Sequence, residues 1–182
     1  MEFREERDSL GMVTVPGDAY YGAQTERARQ NTIDSGLRLP PAFLRALALI
    51  KLFAAEVNLD LKLMDPEIAG AITTSANEVA KGRLAAQFVV DLFQTGSGTS
   101  TNMNMNEVIA ARANELLTGK IGGKSPVHPN DHVNLGQSSN DVIPTALHIS
   151  ALSAIERDLL PQLNILRRVL VEKAALWRNV RK

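Results

Sequence analysis

The 182-residue chain carries 20 Lys and Arg against 20 Asp and Glu, a formal net charge of +0, so it offers no basic field for nucleic acid or an anionic membrane surface. Hydrophobic residues make up 45% and aromatics only 4%, which suits an Ala/Leu/Ile/Val core of helices packed on helices. With no cysteine there is neither a disulfide framework nor a thiolate metal site, and the length suits one core, or one domain and part of another.

The opening residues, Met1–Asp8, are acidic and lack the apolar h-region of a secretory signal. No apolar run approaches membrane-spanning length, so a cytoplasmic protein is expected. Residues 4–39 read as an irregular, partly extended entry. Within it Gly11–Pro16 alternates like a short strand, and Pro16, Gly17 and Asp18 signal a turn. Gly22–Arg27 is polar and too short to classify.

From Pro41 a helix is expected, with Phe43, Leu47, Ile50, Ala54 and Val57 on its buried face. A second begins at Asp65 and Pro66, an N-cap followed by proline at the first helical position. Its face is Ile68, Ile72, Ser75 and Val79, and Gly82 is placed to end it.

The stretch Gln94–Glu107 organises the rest. An apolar run, Phe88–Phe93, leads into it, and Gly96 and Gly98 let the backbone turn where a Cβ would clash. Ser97, Thr99, Ser100 and Thr101 supply small hydroxyls, and a helix follows on which Met105, Ile109, Arg112 and Leu116 recur at helical spacing. Unpaired N–H groups at a helix start, with hydroxyls beside them, make an anion site. A flexible Gly/Ser linker is the plain alternative, against which stand the apolar entry, the asparagine triplet and the immediate helix.

Gly119 closes that helix, and residues 118–139 show no helical or strand period, as expected of a functional or a disordered loop, though Val127–Asn134 is too rich in specific polar types to be a spacer. A last helix follows, with Asn140 or Asp141 as its cap and Pro144 in its first turn. It runs for about 40 residues, roughly 60 Å. Its stripe is Leu152, Ile155, Leu159, Leu163, Leu166, Leu170, Ala174 and Trp177, with a local kink expected at Pro161. Nothing after Val180 caps or returns this helix, so the chain reads as cut short inside a domain. It is expected to self-associate through the stripe, or to fold the helix back onto residues 41–117.

Three polar clusters result: Thr95–Asn102, His128–Asn134 and Gln137–Asp141, two of them immediately before helices. Small hydroxyls and amides can converge on a substrate with two carboxylates without bulk in the way. A zinc reading of His128 and His132 needs a helix presenting both on one face, which Pro129 and its turn-forming neighbours disfavour, and no HExxH pattern exists. No metal and no cofactor are expected. A serine-hydrolase reading fails because Ser97 lies in Gly-Ser-Gly, not a GxSxG elbow, and the glycines are too few for a dinucleotide or P-loop fingerprint.

Gly96–Val108, His128–Asn134 and Gln137–Asp141, in this order, resemble the N-terminal half of a class II fumarase, the metal-free kind in the fumarase/aspartase superfamily. Glu6–Gly11 and Gly22–Thr25 fit as well. The resemblance covers essentially the whole chain but less than half of a full family member. It implies an all-α fold in which residues 1–138 form a small N-terminal domain with a short β entry. Residues 139–182 then begin the first long helix of a central bundle.

It also implies reversible hydration of fumarate to L-malate, a step of the tricarboxylic acid cycle. Ser97, Gly98 and Thr99, with Ser138, Ser139 and Asn140, would bind the C4 dicarboxylate. His128, Pro129, Asn130 and Asp131 match a secondary dicarboxylate site. The complete site would be assembled from three subunits of a homotetramer. The acid histidine and base serine would lie beyond Lys182, so this chain alone would be inactive. His128 and Ser139 separate fumarases from aspartases, which resemble this pattern with Asn and Thr there. The approach Gly82–Val90 departs from the family's aspartate-rich, proline-ended one. The alternatives are an aspartate ammonia-lyase of the same superfamily and a non-catalytic dicarboxylate-binding or assembly domain.

Overall fold

The computed structural model describes residues 2–181; Met1 and Lys182 lie outside the described residues. Strands β1 (Phe3–Asp8) and β2 (Gly11–Pro16) form an antiparallel hairpin, with Phe3 opposite Pro16 and Asp8 opposite Gly11. The alternation of β2 was readable; β1 was hidden by its charges. They are held by tertiary partners: the Arg4 guanidinium donates to the carbonyls of Pro16, Gly17, Ala19 and Tyr21 and pairs with Glu6 at 2.9 Å.

The unclassified stretch after Gly22 is a helix, α1 (Ala23–Asn31), whose N-terminus has no cap of its own. Glu107, far along the chain and nearly buried, supplies it: its carboxylate accepts from the N–H groups of Gly22, Gln24 and Thr25 at 2.9–3.0 Å. A negative charge there also offsets the positive end of the helix dipole.

Helices α2 (Pro41–Asp60) and α3 (Pro66–Ala80) pack against each other. Asp65 caps α3 as expected, accepting from Glu67 N–H at 2.8 Å, and Gly82 follows its end at φ +80°. The buried face of α2 differs from the expectation. It is Phe43, Ala46, Leu47, Ala48, Lys51, Ala55 and Asn58, while Val57 is exposed. The stripe turned one residue at its centre because Lys51, which composition would place in solvent, is in the core.

Helix α4 (Thr99–Thr118) runs through the middle and is buried on nearly every side from Thr101 to Asn114. Gly119 at φ +74° ends it, and Leu116 lies outside the core. The departing approach to it is ordered. Ala85–Gln87 form one 3₁₀ turn, and Gln87 accepts Tyr20 N–H through its amide oxygen and Asn104 Nδ2 through its carbonyl. Asp91, buried, accepts from Ser35 and from the Phe93 N–H, which leads the set of bonds holding its carboxyl below the usual range.

The long loop contains one helical turn that sequence disfavoured: Pro129–Val133, a wide turn with Asn134 N–H on Pro129 O at 3.1 Å. Helix α5 (Ser139–Ala154) begins next, capped by Ser138 rather than Asn140 or Asp141, since the Ser138 hydroxyl accepts Asn140 N–H. Pro144 lies inside the helix, not in its first turn. α5 buries Val142, Ala146 and Ser150 and packs on α2 and α4.

A π-type stretch, Ile155–Leu159, links α5 to α6 (Leu160–Leu176), Leu160 N–H reaching back to Ile155 O. Pro161 cannot donate to Arg157 O and crowds it, and this widened turn is the local disturbance expected there. From Ile155 to Arg181 every residue is exposed, so the helix does not fold back onto residues 41–117. Those helices already cover one another.

Candidate active site

Thr99 and Ser139 are the first residues of α4 and α5, and the fold brings these two helix N-termini together. Thr99 Oγ1 lies 2.9 Å from Ser97 Oγ and 3.0 Å from Ser139 Oγ, a chain of three hydroxyls from two of the sequence clusters. The resemblance left open whether these residues meet within one chain; here Thr99 and Ser139 do. Ser97, Thr99, Ser138 and Asn140 are exposed.

Gly98 permits the approach. It precedes α4 at φ +67°, and a Cβ on it would stand 3.0 Å from Ile143 Cγ2 on α5. The first N–H groups of a helix have no intrahelical acceptor. Thr101 N–H is taken by Gln94 Oε1 at 3.0 Å, whose amide also donates to Thr101 Oγ1. Those of Thr99 and Ser100 have no acceptor among the described residues. Two positive helix ends, three hydroxyls and unspent N–H groups can receive an anion.

Directly behind this mouth the three sequence clusters meet in a polar core through Asn102, Asn134 and Gln137, joined by Lys51, which sequence reading missed. Asn134 Oδ1 accepts from Asn102 Nδ2 at 3.1 Å and Asn106 Nδ2 at 3.2 Å on α4, and from Lys51 Nζ at 2.9 Å on α2. Lys51 Nζ also donates to Gln137 Oε1 at 2.9 Å, and Asn134 Nδ2 donates to Gln137 O. Burial takes the Lys51 ammonium down from its ordinary value to about 7. A signal existed: Leu47, Lys51, Ala55 and Asn58 continue one helix face.

The His128 cluster bonds within itself. His128 Nδ1 accepts from Asn130 N–H at 3.3 Å and Asp131 N–H at 3.1 Å, capping the wide turn, and His132 Nδ1 accepts His128 N–H at 2.9 Å. Both rings therefore carry a proton on Nε2. An Nδ1 that accepts two N–H groups has no proton for Asp131 Oδ2, 3.2 Å away, so the geometric pair between them is not an ion pair. Pro129 is buried; Asn130 and Asp131 are exposed, and none of these bonds reaches Ser97 or Thr99. Among the described residues no group of three or more His, Asp or Glu could hold a metal ion.

The chain is 54% identical over its whole length to the class II fumarate hydratase of Nitrosomonas europaea, 39% of which it covers. It is 51% identical over 99% of its length to the mitochondrial fumarate hydratase of Danio rerio, covering 36% of that protein. Among solved structures, it superposes on a class II fumarase from Schistosoma mansoni with a TM-score of 0.94 and 42% identity, over 98% of this chain and 38% of that one. A fumarate lyase:delta crystallin from Brucella melitensis gives 0.82 and 46% over 85% of this chain and 36% of that one. The chain thus spans less than two fifths of the length of these relatives. No helix among the described residues is long and apolar enough to cross a membrane. A lyase family model matches residues 11–182, so the chain belongs to the lyase family and is similar throughout to class II fumarate hydratases.

Proposed function

We propose that this chain is the N-terminal portion of a fumarate hydratase, in which Ser97, Gly98, Thr99, Ser138, Ser139 and Asn140 receive one carboxylate of fumarate or L-malate. The observation that carries this is the meeting of Thr99 and Ser139, 3.0 Å apart, at two converging helix N-termini. In the dehydrating direction a base removes a weakly acidic proton next to a carboxylate, and the electron pair moves onto that carboxylate. The C–O bond then breaks and hydroxide leaves as water with a proton from the acid; hydration is the reverse. The intermediate carries extra negative charge on the carboxylate, and donors aimed there lower the barrier. Each hydrogen bond to a charged oxygen is worth about 1.5–3 kcal/mol.

The acid and base come from outside this chain, which alone binds but does not turn over. Residues 1–138 are the N-terminal domain, and residues 139–182 open the central bundle of a cytoplasmic homotetramer. His128, Pro129, Asn130 and Asp131 form a secondary dicarboxylate site, to which the Nε2–H groups suit an anion.

Placing this chain in the matching segment of the Nitrosomonas europaea relative gives a full-length protein to assay. Fumarate hydration is expected, with no ammonia released from aspartate. A folded chimera that releases ammonia, or hydrates nothing, overturns the reading.

A further inference from the structure

Lys51 is 0% exposed, and among the described residues no carboxylate pairs with it. Its bonded partners are two neutral amide oxygens, Asn134 Oδ1 and Gln137 Oε1. An ammonium buried without a counter-charge is costly, and an apolar side chain would normally fill such a place better. What it joins explains the arrangement. Asn134 is bonded to α4 through Asn102 and Asn106, and Gln137 stands two residues before Ser139. Gln137 Nε2 is fixed in turn by Val133 O at 2.9 Å, which leaves its Oε1 for the ammonium.

We infer that Lys51 is a positioning residue for the proposed dicarboxylate site: by tying Asn134 to Gln137 it holds the N-termini of α4 and α5 at the separation that sets Thr99 against Ser139. It touches no substrate itself. The inference rests on the functional reading above for its consequence, but its structural half stands apart. A neutral side chain of lysine's length would fill the volume and leave Gln137 Oε1 without its donor. The turn leading to Ser138 would keep its own bonds between Asn134, Val133 and Gln137 but lose its tie to α2, and so shift relative to α4.

Amide exchange by NMR tests this in the 182-residue chain, together with titration by fumarate. In Lys51→Met, exchange at Asn140, Asp141 and Val142 should quicken at least tenfold while the hairpin amides of Arg7 and Val13 keep their rates. Fumarate affinity should fall at least tenfold. Because the chain has no cysteine, Lys51→Cys carries a single thiol. Unfolded and treated with 2-bromoethylamine, that thiolate displaces bromide and regains an ammonium at nearly the original reach. Refolded, it should recover both slow exchange and affinity to within about threefold of the native chain.

Should Lys51→Met fail to fold, Gln137→Leu cuts the same link from the half-buried side and should show the same local exchange. Uniformly faster exchange in every variant, or native affinity in Lys51→Met, overturns the inference. If the unsubstituted chain binds no fumarate at all, the functional reading fails for the chain alone, and the exchange pattern still decides the role of Lys51.

Discussion

Helices α4 and α6 invert the usual relation between composition and burial. α4 carries four asparagines, Asn102, Asn104, Asn106 and Asn114, and all are buried. α6 carries Leu163, Ile165, Leu166, Val169, Leu170 and Val171, and none is. Burial follows partners rather than polarity. Each asparagine on α4 meets a specific acceptor: Asn134 for Asn102 and Asn106, Gln87 O for Asn104, Val127 O for Asn114. A buried amide whose N–H donates to such an acceptor loses less than one left wholly unpaired, whereas an apolar side chain without a neighbour forfeits its transfer energy.

The largest effect should therefore appear on α6. At about 1.5–3 kcal/mol per large side chain, leaving its stripe in water forfeits on the order of 10 kcal/mol. The chain should self-associate through it, and light scattering across concentrations should show oligomers that Leu163→Glu with Leu170→Glu dissolves. A monomer at every concentration would remove the claim that α6 lacks only a partner.

The converse holds behind the site. Asn134→Ala strips one acceptor from Lys51 and the shared acceptor from Asn102 and Asn106, whose own Oδ1 atoms already have no partner. Uncompensated buried polar groups make such changes expensive, about 3 kcal/mol or more by denaturant titration. A loss under 1 kcal/mol would mean that the network contributes little.

A smaller effect is the pH dependence of Lys51. Its folded value of about 7 lies below the ordinary 10.5, so between these values the unfolded chain binds more protons than the folded one. Stability should rise with pH across that window, and below pH 7 the full penalty of the buried charge applies. The rise should be absent in Lys51→Met; an equal rise there would place its origin elsewhere.

These contrasts also mark what the sequence made legible. The caps and breakers were readable because they act locally: Asp65, Gly82 and Gly119 do what their residue types dictate. So was the break before α4, where Gly98 at φ +67° lets the backbone turn. Strand β1 was not, because its charged side chains find their partners only in the fold: carbonyls from Pro16 to Tyr21 for Arg4, the Gly123 N–H for Glu6 and Arg27 for Asp8. Lys51 was not, because it is justified only by partners on other elements. Propensity puts lysine in water; the hole lined by Asn134 and Gln137 reverses that preference. The order along the chain likewise gave no sign that Thr99 would meet Ser139.

That meeting is the centre of the account, and a double-mutant cycle on the full-length chimera tests it most directly. Thr99→Val and Ser139→Ala, singly and together, should each lower kcat/KM for fumarate. Because the hydroxyls share one bond and one carboxylate, the two losses should be non-additive by at least about 1 kcal/mol. Losses that add within about 0.3 kcal/mol would show that the two helix N-termini do not act on the same group.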